Sequence, residues 1–212
     1  NATITGKERV GGLVGYIGKA DSDSQKEMVI SGCENKAAVT SNSTNDVYGI
    51  GGIVGYNSGH KVAMTNCINS GAITGTHETA GIIGYSDHSD ISNCTNSGAV
   101  SGFATVGGIV GKMGGGSIVS CKNTATVKAS KARDIDGDGN LDGAYLGGIA
   151  GWIAGNVNNC YNSGTVTTET SWGNSNIVGG IVGYLVNGKT VSYCYNSGTI
   201  VGSSQIEIGR AH

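Results

Sequence analysis

Proline is absent from this chain of 212 residues, phenylalanine occurs once, and only 13% of the residues are charged. Without proline and without a G-X-Y period, the 39 glycines do not make a collagen, and an apolar share of 38% is too high for a disordered low-complexity chain. A formal net charge of −2 supplies no basic excess for nucleic acid or for an anionic membrane surface. No apolar run reaches bilayer length and the N-terminus has no basic-then-apolar signal pattern, so no membrane insertion is expected. No segment shows a 3.6-residue apolar period. Neither a C-x-x-C pair nor zinc-ligand spacing occurs, and His77-Glu78 is followed by Gly81 where an H-E-x-x-H motif needs its second histidine. His60, His77, His88 and His212 are therefore read as loop or terminal residues, and Asp21, Asp23, Asp87 and Asp90 as loop carboxylates.

What the chain does have is a period. Gly11-Gly12-Leu13-Val14-Gly15-Tyr16 recurs in blocks beginning near 11, 51, 80, 107, 147 and 179, six copies in all. Each is followed by one cysteine, at Cys33, Cys67, Cys94, Cys121, Cys160 and Cys194, with an apolar residue three positions earlier. Two positions after each cysteine stands Asn35, Asn69, Asn96, Asn123, Asn162 or Asn196, and six positions after it a Val or Ile. The cysteine spacings of 34, 27, 27, 39 and 34 make the shortest unit 27 residues, with the extra length falling between blocks. Short β-branched runs broken by Gly, Asn, Ser and Thr at that period predict an all-β parallel β-solenoid (β-helix) with two or three short strands per turn. Propeller blades need longer units and leucine-rich repeats need a leucine frame. In a solenoid each position stacks on its own copy in the next coil, so one side-chain choice becomes a ladder. Val and Ile ladders are expected to fill the core, and the Asn ladder to supply amide pairing and a left-handed turn conformation. One cysteine per coil in a single register reads as a column of small buried free thiols rather than as disulfides.

Gly-Gly-Ile-Val-Gly-Tyr followed by Asn-Cys-Tyr-Asn-Ser-Gly-Thr-Val resembles the GLUG repeat, over about Val10 to Gly202. The resemblance implies a region of a large secreted or wall-anchored bacterial protein, adhesin-like or accompanying an immunoglobulin A peptidase. It thereby implies surface display and adhesion to a host or neighbouring-cell protein or glycan, beside other domains of the parent chain. Residues 1–202 are read as one repeat region. Asn1 to Gly6 align with Ser70 to Gly75 as the tail of a preceding coil, so the array is expected to extend upstream. Residues 203–212 are read as a further coil or as a non-native tail leading into a histidine tag.

One segment carries cation chemistry. From Cys121 to Gly148 is 27 positions against 14 from Cys67 to Gly81, and the excess of 13 holds Asp134-Ile135-Asp136-Gly137-Asp138-Gly139-Asn140-Leu141-Asp142. Carboxylates at positions 1, 3, 5 and 9 with glycine at 6 offer a hard cation oxygen ligands on a tightly curled loop. Tyr145 stands where an EF-hand needs its glutamate, so that motif is excluded. The nine-residue form resembles the calcium hairpins of integrin α-chain propellers. By that resemblance Asp134, Asp136, Asp138 and Asp142 ligate Ca2+ through side chains and Asn140 through its carbonyl, in an inserted loop at about 130–145. Magnesium, which prefers a near-ideal octahedron with retained waters, fits less well.

The repeat blocks are nearly uncharged and show no acid-base constellation, so the chain is expected not to be an enzyme; the competing reading is a β-helical polysaccharide lyase or hydrolase. Ice binding is a third reading, on the register Thr40, Thr74, Ser101, Lys128, Thr167, Val201, which Lys128 and Val201 interrupt. Tyr16, Tyr56, Tyr85, Trp152 and Tyr184 form an aromatic register, interrupted by Lys112, that either packs or faces a ligand. Strand alternation leaves its direction open, because both apolar residues of the block precede it.

Overall fold

The structure is a computed structural model, and it describes residues 2–18, 27–43, 48–130, 144–168 and 176–202, with the backbone of 205–207. Among these residues every strand pairing is parallel and no helix is present, so none is long and apolar enough to cross a membrane. The chain winds as a β-helix-like coil with four sheets. The first has 7 strands, running Thr3–Gly6, Ala38–Ser41, Ile73–Thr74, Val100–Gly102, Val127–Ala129, Val166–Thr168 and Ile200–Val201. The second, also 7-stranded, runs from Val10–Gly11 through Glu78–Ala80 to Gln205–Glu207. The third has 10 strands and carries the Val-Gly-Tyr half of each glycine block; the fourth has 6 and carries the asparagines. One turn, Val110–Met113, Gly116–Val119, Lys122–Asn123, Val127–Ala129, uses four short strands before the chain re-enters the second sheet at Tyr145–Gly147. That is more than the two or three expected, because strands of two to four residues separated by corners of two or three residues use the 27-residue period more tightly than average strands would.

The copies pair in the register the sequence period demands. Val39 pairs with Ile73, Ile73 with Val100, Val100 with Val127 and Val127 with Val166. These residues, with Ile50, Val106, Leu146 and Val178, form one buried apolar column between the first and second sheets. A second column, of Ile53, Met64, Ile82, Ile91, Ile109, Ile118 and the buried cysteines among others, lies inside the third and fourth sheets.

Two polar ladders lock the coils together. Asn35 Nδ2 donates to Asn69 Oδ1 at 2.8 Å, and the pattern repeats from Asn69 to Asn96, Asn96 to Asn123, Asn123 to Asn162 and Asn162 to Asn196 at 2.7 to 2.8 Å. The second proton of each amide goes to the carbonyl two residues on, as Asn96 Nδ2 does to Gly98 at 2.9 Å. The amides are aligned head to tail in a buried column, where such bonds polarise one another. A glycine from each block lies under them: a Cβ at Gly12, Gly52, Gly81 or Gly108 would strike both the neighbouring asparagine and the glycine carbonyl of the next coil.

The left-handed turn expected at these asparagines falls elsewhere. The residue just before each cysteine takes it: Gly32, Asn66, Asn93, Ser120, Asn159 and Tyr193 have φ of 61°, 55°, 52°, 53°, 52° and 52°. That corner tips the following N–H into the core, and sulfur receives it. Cys67 N–H donates to Cys94 Sγ at 3.4 Å, with the same distance from Cys94 to Cys121, Cys121 to Cys160 and Cys160 to Cys194. A cysteine here is thus a small apolar group that also accepts one weak hydrogen bond, which alanine does not. All six thiols are free. Hydrogen bonds with Cys160 and Cys94, with burial added, push the Cys121 thiol well up. In native protein titrated with a thiol reagent at pH 8, Cys33, the one cysteine that is not buried, is expected to react fast and the other five only on unfolding. Rapid reaction of several thiols would contradict the closed column.

Candidate functional site

The Val-Gly-Tyr strands place the aromatic register on the outer face of the third sheet. Tyr16 pairs with Tyr56, Tyr56 with Tyr85, Tyr85 with Lys112, Lys112 with Trp152 and Trp152 with Tyr184. Tyr16 and Tyr184 at the two ends are 48% and 40% exposed, and the four between are half-buried. The direction left open by the sequence is therefore outward, yet the rings spend their faces on one another. Tyr56 and Tyr85 stack with centroids 4.4 Å apart and planes 13° from parallel, and Trp152 and Tyr184 lie 6.2 Å apart at 3°. Lys112 fills the gap with its ammonium 6.0 Å from the Tyr85 ring and 5.4 Å from Trp152, so a cation takes the place of a ring rather than breaking the column. At the other end Arg9, outside the register, lays its guanidinium over the rings, 4.8 Å from Tyr16 and 5.3 Å from Tyr56.

The charge on Lys112 has a partner one coil earlier. Glu78, 1% exposed, holds Oε1 4.0 Å from Lys112 Nζ and 3.7 Å from His77 Nδ1. Its Oε2 has no hydrogen-bond partner among the described residues. Tyr48 covers His77, ring to ring at 5.4 Å. His77 is thus buried rather than part of an exposed loop, His60 and His88 lie inside the strands Val54–Thr65 and Ile83–Ser92, and Asp87 and Asp90 lie in the latter strand as well. Asp87 accepts the Tyr85 hydroxyl at 2.6 Å and the Gly59 N–H at 2.7 Å. Burial, then that hydrogen bond, pushes the Tyr85 phenol up. Asp90 accepts from Ser117 at 2.7 Å and pairs with Lys61 at 3.2 Å.

A second aromatic group was not singled out in the sequence. On the fourth sheet Tyr161 and Tyr195 pair in register and stack at 5.6 Å with planes 4° apart, and Lys122 Nζ sits 5.7 Å from the Tyr161 ring. The Cys-Tyr-Asn sequence shared by the last two coils was the available signal. Next to Tyr195, Tyr193 is 80% exposed.

The five calcium-ligand candidates, Asp134, Asp136, Asp138, Asn140 and Asp142, lie outside the described residues, as do Asp21, Asp23 and His212. The chain leaves the first sheet at Ala129 before that segment and enters the second at Tyr145 after it. Among the described residues no group of three or more His, Cys, Asp and Glu side chains is placed to hold a metal ion. The threonine register lies along the first sheet, with Lys128 paired between Ser101 and Thr167 and Val201 beside Thr167.

No curated protein matches the chain. A solved structure of a Bacteroides ovatus protein provisionally named an immunoglobulin A1 protease is similar at a TM-score of 0.52 and 21% identity, covering 92% of this chain and 78% of that one. A likeness at this identity shows the fold. The family model described as the GLUG motif matches residues 142–167, which span the fifth glycine block, Cys160 and Asn162. The chain therefore carries the GLUG motif, at 142–167, in a coil whose residues recur in register in the coils on either side.

Proposed function

We propose that the chain is a non-catalytic, adhesin-like or spacer module of a larger secreted or cell-surface bacterial protein, built on six repeats and stapled by one structural calcium ion. The observation that carries the reading is the double ladder: an amide column from Asn35 to Asn196 and a thiol column from Cys67 to Cys194 suit a rigid rod that carries or presents other parts. Its support for the non-catalytic part is that Asp87 and Asp90 beside the aromatic column are engaged and that Glu78, 1% exposed, is closed off from solvent. Asp87 holds Tyr85 and a backbone N–H, Asp90 holds Ser117 and Lys61, and Glu78 lies against Lys112. The GLUG motif and the name borne by the Bacteroides ovatus protein support a secreted parent, and that name favours, as a second reading, an accessory region of a secreted peptidase. Purified protein incubated with panels of glycans and of immunoglobulins is expected to release no product detectable by mass spectrometry; clear turnover of either would sink the reading.

The calcium part rests on four carboxylates within nine residues, which repel one another strongly without a cation. Calorimetric titration with Ca2+ is expected to show one site that disappears in Asp136→Ala/Asp138→Ala. At a hundredfold excess over Kd the wild type gains about 2.7 kcal/mol, or roughly 5–10 °C in Tm. Equal melts in calcium and in chelator would reduce the segment to an acidic turn.

A further inference from the structure

We propose that Tyr193 and Tyr195 form a carbohydrate-binding platform, backed by Tyr161 and flanked by Lys122, on the corner between the third and fourth sheets. The inference deepens the adhesin-like reading and rests on it.

The first observation is conformational. Tyr193 occupies the left-handed corner with φ 52°, where the other coils place Gly32, Asn66, Asn93, Ser120 and Asn159. Glycine and asparagine suit that region, and serine is small; a bulky aromatic there is an outlier whose Cβ crowds the following carbonyl. Nothing in the packing asks for the ring, because Tyr193 is 80% exposed, more than any other large apolar residue described. A strained residue that contributes no burial points to a role outside the fold.

The second observation is the setting. Tyr195, two residues on and 63% exposed, is held flat on Tyr161, and the Tyr161 hydroxyl is tied to Ser197 Oγ at 2.8 Å. In contrast to the Tyr56–Tyr85 column, Tyr193 spends no ring face on another ring among the described residues. Around the rings stand hydroxyls and amides: Asn158 Nδ2 donates to Ser192 Oγ at 2.8 Å and Asn159 Nδ2 to Ser120 Oγ at 3.0 Å. Rigid aromatic surfaces with a rim of neutral donors and acceptors match a pyranose, whose C–H face is apolar and whose edge is hydroxyl. Lys122, above Tyr161, adds a cation for a uronate or another acidic substituent. A stable protein partner would bury about 800 Å² per side around an apolar centre, and two tyrosines on a polar corner do not supply one.

The test uses the whole chain on an array of neutral, N-acetylated and uronate oligosaccharides, beside a surface of enzymatically deglycosylated mucin. Wild type is expected to bind at least one glycan class, with Tyr193→Asn and Tyr195→Ser each weakening it at least tenfold. Tyr193→Asn also relieves the corner, so its Tm is expected to rise by about 2–4 °C, which separates loss of the ligand from loss of the fold. Undiminished glycan binding by both variants, or a lowered Tm for Tyr193→Asn, would overturn the platform. Binding of wild type to deglycosylated mucin but to no oligosaccharide would overturn it and leave an adhesin with a protein ligand. Binding to neither would remove both readings.

Discussion

Asn96→Ala is expected to destabilise the protein by about 3–5 kcal/mol, far beyond what removing a surface amide does. Asn96 stands in the middle of the amide column. It accepts from Asn69 at 2.8 Å, donates to Asn123 at 2.8 Å and donates to Gly98 O at 2.9 Å. Alanine leaves Asn123 Oδ1 and the Gly98 carbonyl without these donors in a buried site, at roughly 1–3 kcal/mol each, and no water replaces the amide without room being made. Position along the column is a second test. Asn35, at its start, makes one inter-coil bond, to Asn69, so Asn35→Ala is expected to have about half the effect. Because stacked coils couple mainly to their neighbours, Asn96→Ala also loosens the link between the two halves of the stack, and a broadened urea transition is expected beside the shifted midpoint. Urea unfolding monitored by far-UV circular dichroism reads both. A shift below about 1 kcal/mol for Asn96→Ala would mean that the column is a by-product of stacking rather than a source of stability.

The amide and thiol columns were legible because identity at a fixed period is itself the evidence for stacking: if Asn69 lies over Asn96, one residue type serves both. Features that vary from coil to coil were harder. The left-handed corner was sought at Asn35 and its copies because asparagine never varies there, whereas it lies at Gly32, Asn66, Asn93, Ser120, Asn159 and Tyr193. That column is rich in Gly and Asn, the signature of such a corner, and Tyr193 masked it. Lys112 looked like a flaw in the aromatic register until Glu78, 34 positions earlier in sequence and one coil earlier in space, came within 4.0 Å. Pairing of that kind needs the coil register and also the direction in which each side chain leaves its strand. Tyr16 shows the same limit: strand alternation could not fix its direction, and the outward answer came with a second fact that no sequence pattern held, that the rings of the column cover one another.

Gly108→Ala tests the other half of the lock and is expected to prevent folding at 37 °C or to destabilise by more than about 4 kcal/mol. A Cβ on Gly108 would fall on the Gly148 carbonyl oxygen of the next coil and 2.5 Å from Asn123 Cγ. Neither neighbour can yield. The first is backbone, fixed by the parallel pairing of Thr105–Gly107 with Tyr145–Gly147, and the second is held by its bonds to Asn96 and Asn162. Relief requires the coils to part where the Gly108 N–H donates to the Gly147 carbonyl and the Ile109 N–H to that of Ile149, which would open the second sheet and the amide column together. The contrast is Gly32→Ala, where a Cβ meets nothing within 4 Å among the described residues and only the left-handed φ of 61° is strained, so a loss of about 1 kcal/mol is expected. The two alanines thus separate a steric from a conformational need for glycine, and melting curves of both variants read the difference. Equal losses would show that the coils at Gly108 have room to spread, and that the spacing of the stack is set by the apolar columns alone.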